Sequence, residues 1–200
     1  MWVAQSPPPE ALIEGMFPLF LRLEGRRVLV VGAGAVGTKK ITELLASGAS
    51  VTIVAPAATD TVMALAANGD LVLHLRPFVP SDLDDAWLVV AATNDPAVQA
   101  EVARVATERR IWLLAVDDVG LATAYGGSVL RRSPFVVAIS SSGTAPALTR
   151  MLREILESAL PDESWVSAAR TLRRDWKARG TPMSERFGEL LRAFSERSKP

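Results

Sequence analysis

Three glycines, Gly32, Gly34 and Gly37, stand in the spacing GxGxxG. They directly follow the apolar run Val28-Leu29-Val30-Val31 and lead into Thr38-Lys39-Lys40-Ile41-Thr42-Glu43-Leu44-Leu45, whose apolar positions recur at helical spacing. Missing Cβ atoms at these places serve three ends. The first glycine permits a tight turn, the second lets a pyrophosphate approach the backbone, and the third lets the helix lie against the strand. The helix N-terminus then offers free N–H groups and a positive dipole end to phosphate oxygens. Glycine turns are common, and the motif carries weight here because strand and helix flank it as the chemistry requires. The expected chemistry is dinucleotide binding, with Gly32, Gly34, Ala35, Val36 and Gly37 in contact with the cofactor.

In doubly wound sheets, ligands gather beyond the carboxyl ends of the strands, so the residues after each apolar run are the next candidates. After Val51-Thr52-Ile53-Val54 comes Ala55-Pro56-Ala57, with no acid for ribose hydroxyls and no arginine for the extra phosphate of NADP, which favours NAD. Ala91-Ala92-Thr93-Asn94-Asp95 follows a later run; its small residues let a cofactor lie against backbone, and Thr93 can hydrogen-bond it. An ordinary turn with an N-cap accounts equally for Asn94 and Asp95. Asp117 and Asp118 end another apolar run, where a carboxylate is suited to proton transfer, although such residues also close turns. On an extended chain neighbouring side chains alternate, so at most one of the two should face the site. Ser140-Ser141-Ser142-Gly143-Thr144 is either an N-cap loop or a carboxylate-binding loop, with Ser140, Ser141 and Thr144 as donors and Arg150 and Arg153 on the helix beyond. His74 lies alone in an apolar run and reads as structural or part-exposed, not catalytic.

The elements that must position these residues alternate between apolar runs and helical patterns, which predicts an α/β fold with a Rossmann-type parallel sheet. Strands are expected at 27–31, 50–54, 71–75, 87–91, 111–116 and 135–140, with Pro56 ending the second. Helices are expected at 37–47, 59–68, 96–109 and 146–160, with Asp95 as N-cap and Pro96 at the first helical position. Between Asp117 and Pro134 the periodicity weakens and Gly120, Gly126 and Gly127 interrupt it, so the chain is expected to leave its first domain there. Pro161 should stop the preceding helix, and 165–177 and 182–195 read as amphipathic helices. Trp87 and Trp112, at strand starts, are expected to pack in the core.

Composition narrows the function. The chain of 200 residues has no cysteine and one histidine, which excludes disulfides, thiolate nucleophiles and a His- or Cys-built metal site, so no resident metal is expected. No run of about 18 apolar residues predicts a membrane span. Met1 to Pro9 is Pro-rich and lacks the pattern of a signal peptide, giving a cytoplasmic expectation. The formal charge is zero, yet residues 1–130 hold 9 basic and 14 acidic side chains and residues 131–200 hold 13 and 8. The basic half suits an anionic partner or simply a solvated helical surface; its interleaved acids argue against nucleic acid.

Taken in order, Phe17-Pro18-Leu19-Phe20, the glycine loop with Lys39-Lys40, Val51-Thr52-Ile53-Val54-Ala55-Pro56, Ala91-Ala92-Thr93-Asn94-Asp95, Val116-Asp117, Arg132-Ser133-Pro134 and Ala138-Ile139-Ser140-Ser141-Ser142-Gly143-Thr144-Ala145-Pro146 form a specific set. The chain thereby resembles the precorrin-2 dehydrogenase and sirohydrochlorin ferrochelatase family, found alone or as the N-terminal module of siroheme synthase. The resemblance implies a loose tail at 1–16, an NAD-binding Rossmann domain at 17–127, a dimerisation segment at 128–160 and a small helical C-terminal region at 161–200. It implies Asp117 as the catalytic aspartate and Pro56, Ala57 and Thr93 beside NAD. Ser140, Ser141, Thr144 and Arg150 would then serve precorrin-2, a polycarboxylate tetrapyrrole. Oxidation to sirohydrochlorin by a homodimer would follow, with ferrous iron a substrate of any chelation step and not a bound cofactor. The alternative is a regulatory Rossmann module that senses NAD without chemistry. The chain departs from the family pattern at Ala33, Gly37, Gln99, Leu114, Ala124 and Gly127.

Overall fold

The computed structural model describes residues 16–116, 118, 120–141, 144–160 and 162–197. All but the last residue of the expected tail at 1–16, together with Asp117 and the helix-stopping Pro161, therefore lie outside the described residues. The chain divides into two compact units, residues 1–126 with 140–144 and residues 127–139 with 145–200.

The first unit is built on the parallel strands β1 (Arg27–Ala33), β2 (Ser50–Ala58), β3 (Val72–Leu75), β4 (Leu88–Ala91) and β5 (Trp112–Ala115), ordered β3-β2-β1-β4-β5. Helices α1 (Ala35–Leu45), α2 (Asp60–Ala67) and α3 (Pro96–Glu108) make three of the crossovers, and a single 3-10 turn at Pro80–Leu83 lies between β3 and β4. The order of the strands in sequence reverses between β1 and β4, where a doubly wound sheet opens its ligand crevice.

Alternation along β1 explains how one sheet serves two cores. Val28 and Val30 face one layer with Val51, Ile53, Ile41, Leu44 and Val62. Leu29 and Val31 face the other, with Val54, Val89, Val102, Val105 and Leu113. The central strands β1 and β4 are thus covered on both sides and read as continuous apolar runs. β3 is an edge strand, and His74 on it is exposed.

Three sequence expectations are corrected here. Pro56 does not end its strand: β2 continues to Ala58, because the register passes from Val31↔Val54 to Ala33↔Ala58 and leaves Ala55, Pro56 and Ala57 opposite Gly32 in a bulge. A proline without an N–H is tolerated where the ladder is interrupted. Trp87 and Trp112 are not core residues but are 54% and 48% exposed. They sit at the amino-terminal rim of the sheet, and the Arg26 guanidinium covers the Trp87 ring at 3.9 Å, a cation–π contact at the surface. The strand at 135–140 does not extend the parallel sheet; it becomes β7 (Phe135–Ile139), antiparallel to β6 (Ser128–Arg132), which has no apolar run to announce it.

That two-stranded sheet belongs to the second unit with α4 (Pro146–Ala159), α5 (Glu163–Arg179) and α6 (Met183–Arg197). Asp162 caps α5 by accepting from the N–H groups of Ser164 and Trp165. Glu189 on α6 accepts from Trp176 Nε1 at 2.7 Å and from Arg179 at 2.9 Å on α5; these donors, the indole first, hold its carboxyl below the usual range. Trp165 and Phe194 stack at 4.4 Å across the same pair of helices.

Asp82 is the charged node of the first unit. Its buried carboxylate accepts from Arg76 Nη1 at 2.8 Å, from Arg76 Nη2, and from the Val79 N–H at 2.8 Å. The Arg76 hydrogen bonds hold its carboxyl below the usual aspartate range. A lowered folded-state value means stabilisation that is present above about pH 4, the ordinary aspartate value, and is lost as pH falls through the folded value. Asp82→Asn should therefore lower Tm at pH 7, and the gap from the parent should shrink on acidification below about pH 4, as measured by circular-dichroism melts across pH. Gly32 supplies a second test. Its φ is +102°, and a Cβ there would lie 2.3 Å from the Ala92 carbonyl oxygen. Gly32→Ala should cost about 3 kcal/mol, seen as a Tm lower by roughly 6–12 °C.

Candidate functional site

The crevice begins with backbone contact. Gly32 abuts the Ala92 peptide at the end of β4, and a Cβ on Gly37 would lie 2.5 Å from the Gly32 oxygen. Helix α1 can therefore lie close on β1 only because both positions lack a side chain. Gly34 differs. Its φ of −75° is open to any residue, and no atom lies within 4 Å of a Cβ built on it. Nothing in the protein requires a glycine there, so the open space fits the approach of a ligand backbone.

The electrostatics point the same way. Thr59 caps α2 and Asp95 caps α3 with side-chain oxygens, and Pro96 takes the first helical position as expected. Helix α1 has Gly34 at its N-cap position, with no side-chain cap and no acid in its first turn. Its first helical hydrogen bond is Thr38 N–H to the Gly34 carbonyl, which leaves the amides of Ala35, Val36 and Gly37 to meet an anion. Thr38 also donates its hydroxyl to the Gly34 oxygen at 2.9 Å and pairs with the Thr59 hydroxyl at 2.9 Å, tying the loop to the start of α2. These residues fit a dinucleotide pyrophosphate. Pro56 and Ala57 are exposed on the β2 bulge opposite Gly32, and no carboxylate accompanies them.

Beyond the glycine loop, a cavity of about 300 Å³ is lined by Val36, Ala92, Thr93, Asn94, Pro96, Gln99, Val116 and Asp118. It spans the carboxyl ends of β4 and β5 and the start of α3. Thr93 Oγ1 accepts the Asp95 N–H at 3.2 Å, so its hydroxyl hydrogen is left as a donor. Asp118 lines the cavity, and its Oδ1 accepts the Gly120 N–H at 3.1 Å, so it both closes a turn and presents a carboxylate. Strand alternation does not govern Asp118, because β5 already ends at Ala115. A larger hollow of about 510 Å³ lies between residues 20–24 and Ser47-Gly48, toward the amino ends of the strands, away from every candidate group.

Sequence reasoning missed Gln99 as a lining residue, although its place in the first turns of α3, facing β5, could have marked it. Leu114 and Ala124, which depart from the family pattern, pack against the first core layer as apolar filling. Ser140, Ser141 and Thr144 belong with the first unit, and Arg150 stands on α4 in the second. There Arg150 pairs with Glu154 at 3.0 Å, and Arg153 pairs with Glu157 at 2.8 Å. Much of the positive charge on this helix is thus locally balanced. Among the described residues, no helix is long and apolar enough to cross a membrane.

Comparison with known proteins agrees with this geometry. An NAD(P)-binding family matches residues 19–128, and the family described as sirohaem biosynthesis protein central matches residues 137–159. Siroheme synthase 3 of Aeromonas hydrophila is 43% identical over 178 residues, 87% of this chain and 38% of that protein. Siroheme synthase of Tolumonas auensis is 39% identical over 183 residues, 90% of this chain and 38% of that protein. The chain thus spans about two-fifths of the length of these curated relatives. The solved structure of SirC, a precorrin-2 dehydrogenase, superposes with a TM-score of 0.66 at 27% identity and covers 88% of each chain. Fold, glycine loop and family match define an NAD(P)-binding Rossmann protein. Within that class, the chain belongs to the family that this NAD(P)-binding match defines, and the adjoining sirohaem biosynthesis protein central match aligns it with the siroheme synthases and with SirC.

The open position of Gly34 gives a direct test. Gly34→Val should leave Tm within about 2 °C of the parent while weakening NAD binding at least tenfold, about 1.4 kcal/mol, by fluorescence titration.

Proposed function

We propose that the protein oxidises precorrin-2 to sirohydrochlorin with NAD as hydride acceptor. The observation that carries this reading is the unobstructed backbone at Gly34 before an uncapped helix start, beside a cavity lined from Val36 of that helix to Val116 and Asp118 beyond β5. NAD supplies the electron sink: one hydride passes from the macrocycle to its nicotinamide, and one proton is lost from the macrocycle. Gly32, Gly34, Ala35, Val36 and Gly37 bind the pyrophosphate, while Pro56, Ala57 and Thr93 lie along the rest of the cofactor. The absence of a basic residue in Ala55-Pro56-Ala57 favours NAD over NADP.

Asp117, next in sequence to the cavity-lining Val116, accepts the proton in this reading. Ser140, Ser141, Thr144 and Arg150 serve the substrate carboxylates. Ferrous iron enters as the substrate of a second, chelating step, in which Asp117 relays the pyrrole N–H protons. The working form is a homodimer in the cytoplasm. Its support is the stripe of Leu148, Met151, Leu152 and Ile155 on α4, exposed at helical spacing as a face for a second copy.

The deciding experiment is anaerobic incubation with precorrin-2 and NAD, followed by NADH and sirohydrochlorin absorbance and then repeated with ferrous ion. Asp117→Ala should bind NAD with parental affinity and lose at least about a hundredfold in kcat. NAD binding without turnover by the parent protein would replace this reading with that of an NAD-sensing module.

A further inference from the structure

We propose that Gln99 is the positioning residue that sets the end of β5 for proton transfer, an inference that rests on the function proposed above. Gln99 is 8% exposed on α3, the fourth residue of the helix, yet it lines the crevice cavity. A buried amide is costly unless its hydrogen bonds are made. Its Nε2 donates to the Val116 carbonyl oxygen at 3.1 Å. Because that oxygen can only accept, the amide has one orientation: nitrogen to Val116, oxygen away from it. The Oε1 has no protein partner among the described residues, and none of their buried side-chain polar atoms is left unsatisfied, so it is open to solvent.

The bond matters because of which peptide it holds. The β4–β5 ladder closes at Ala91↔Ala115, and the Val116 N–H still reaches the Ala91 oxygen at 2.9 Å. The next group along the chain, the Val116 carbonyl, belongs to the peptide that leads into Asp117. No strand remains to receive it, and Gln99 is what takes its place. The side chain thus extends the ladder by one group from a neighbouring helix. It fixes the Val116 peptide at the point where the chain leaves the sheet. Of the five buried polar residues among those described, Thr52, Asp82, Gln99, Thr149 and Thr181, only Gln99 lines this cavity.

The test uses the full chain with two variants. Gln99→Met keeps length and volume but cannot donate; Gln99→Glu keeps the shape but sets a carboxylate against the carbonyl oxygen at neutral pH. Three quantities are read: amide hydrogen exchange in peptides covering 112–125, NAD affinity, and kcat for precorrin-2 oxidation. Gln99→Met should raise exchange after Val116 about fivefold and lower kcat about tenfold, with NAD affinity within twofold of the parent. Gln99→Glu should lose more kcat than Gln99→Met. Unchanged exchange in both variants would overturn the proposal, as would a fall in NAD affinity that matches the fall in kcat. If the parent protein binds NAD but turns over no precorrin-2, the underlying functional reading fails. The exchange measurement, which needs no turnover, then still decides whether Gln99 holds the end of β5.

Discussion

The first unit depends on one steric constraint: three pieces of backbone meet where no Cβ fits. Gly32 touches the Ala92 peptide, and Gly37 touches the Gly32 carbonyl, so β1, β4 and α1 converge on a few ångströms of main chain. That convergence brings the amino end of α1 to the carboxyl ends of the central strands, and every later feature of the crevice inherits its position from it. The Ala92-Thr93-Asn94 loop is held beside the glycine loop, α3 starts immediately after, and its fourth residue then faces β5. A methyl group at Gly32 or Gly37 would push apart the elements that carry all of these groups, whereas Gly34, on the same loop, touches nothing.

Polar bonds then divide the helix starts between structure and ligand. The protein satisfies α2 and α3 with Thr59 and Asp95, and it leaves α1 without a side-chain cap at the place where the glycine loop is open. Free amides and an aligned dipole are stabilised by an anion from outside, so the uncapped terminus and the open glycine express one design. In the second unit the polar bonds work differently. Glu189 gathers Trp176 and Arg179 to clamp α5 on α6, and ion pairs one turn apart on α4 balance much of its charge. The basic excess counted in the C-terminal half is therefore a weaker guide to an anionic partner than its total suggests.

Local patterning made much of this legible. The glycine spacing, the strand runs at β1, β2 and β4, the Asp95-Pro96 helix start and the three C-terminal helices follow from period, caps and turn residues, which act over a few positions. The readings that failed depend on neighbours distant in sequence. Trp87 and Trp112 carry apolar rings at strand starts, but whether a strand start is covered depends on how far the flanking helices reach. Pro56 is a strand breaker wherever its position would need an N–H, and only the β1 register shows that it sits in a bulge. β6 contains Arg131 and Arg132 and becomes a strand because β7 pairs with it.

By itself the sequence determined the class of fold, the phosphate-binding loop and, through resemblance, the family, because these rest on residue type and spacing along one short stretch at a time. Tertiary structure alone decided which glycine is sterically required and which is open, that β2 runs past Pro56, and that Asp118 and Gln99 meet at one cavity. The physical reason is that these are properties of gaps and contacts between β1, β4, β5 and α3. A gap between elements has no local signature; it exists only once the elements are packed.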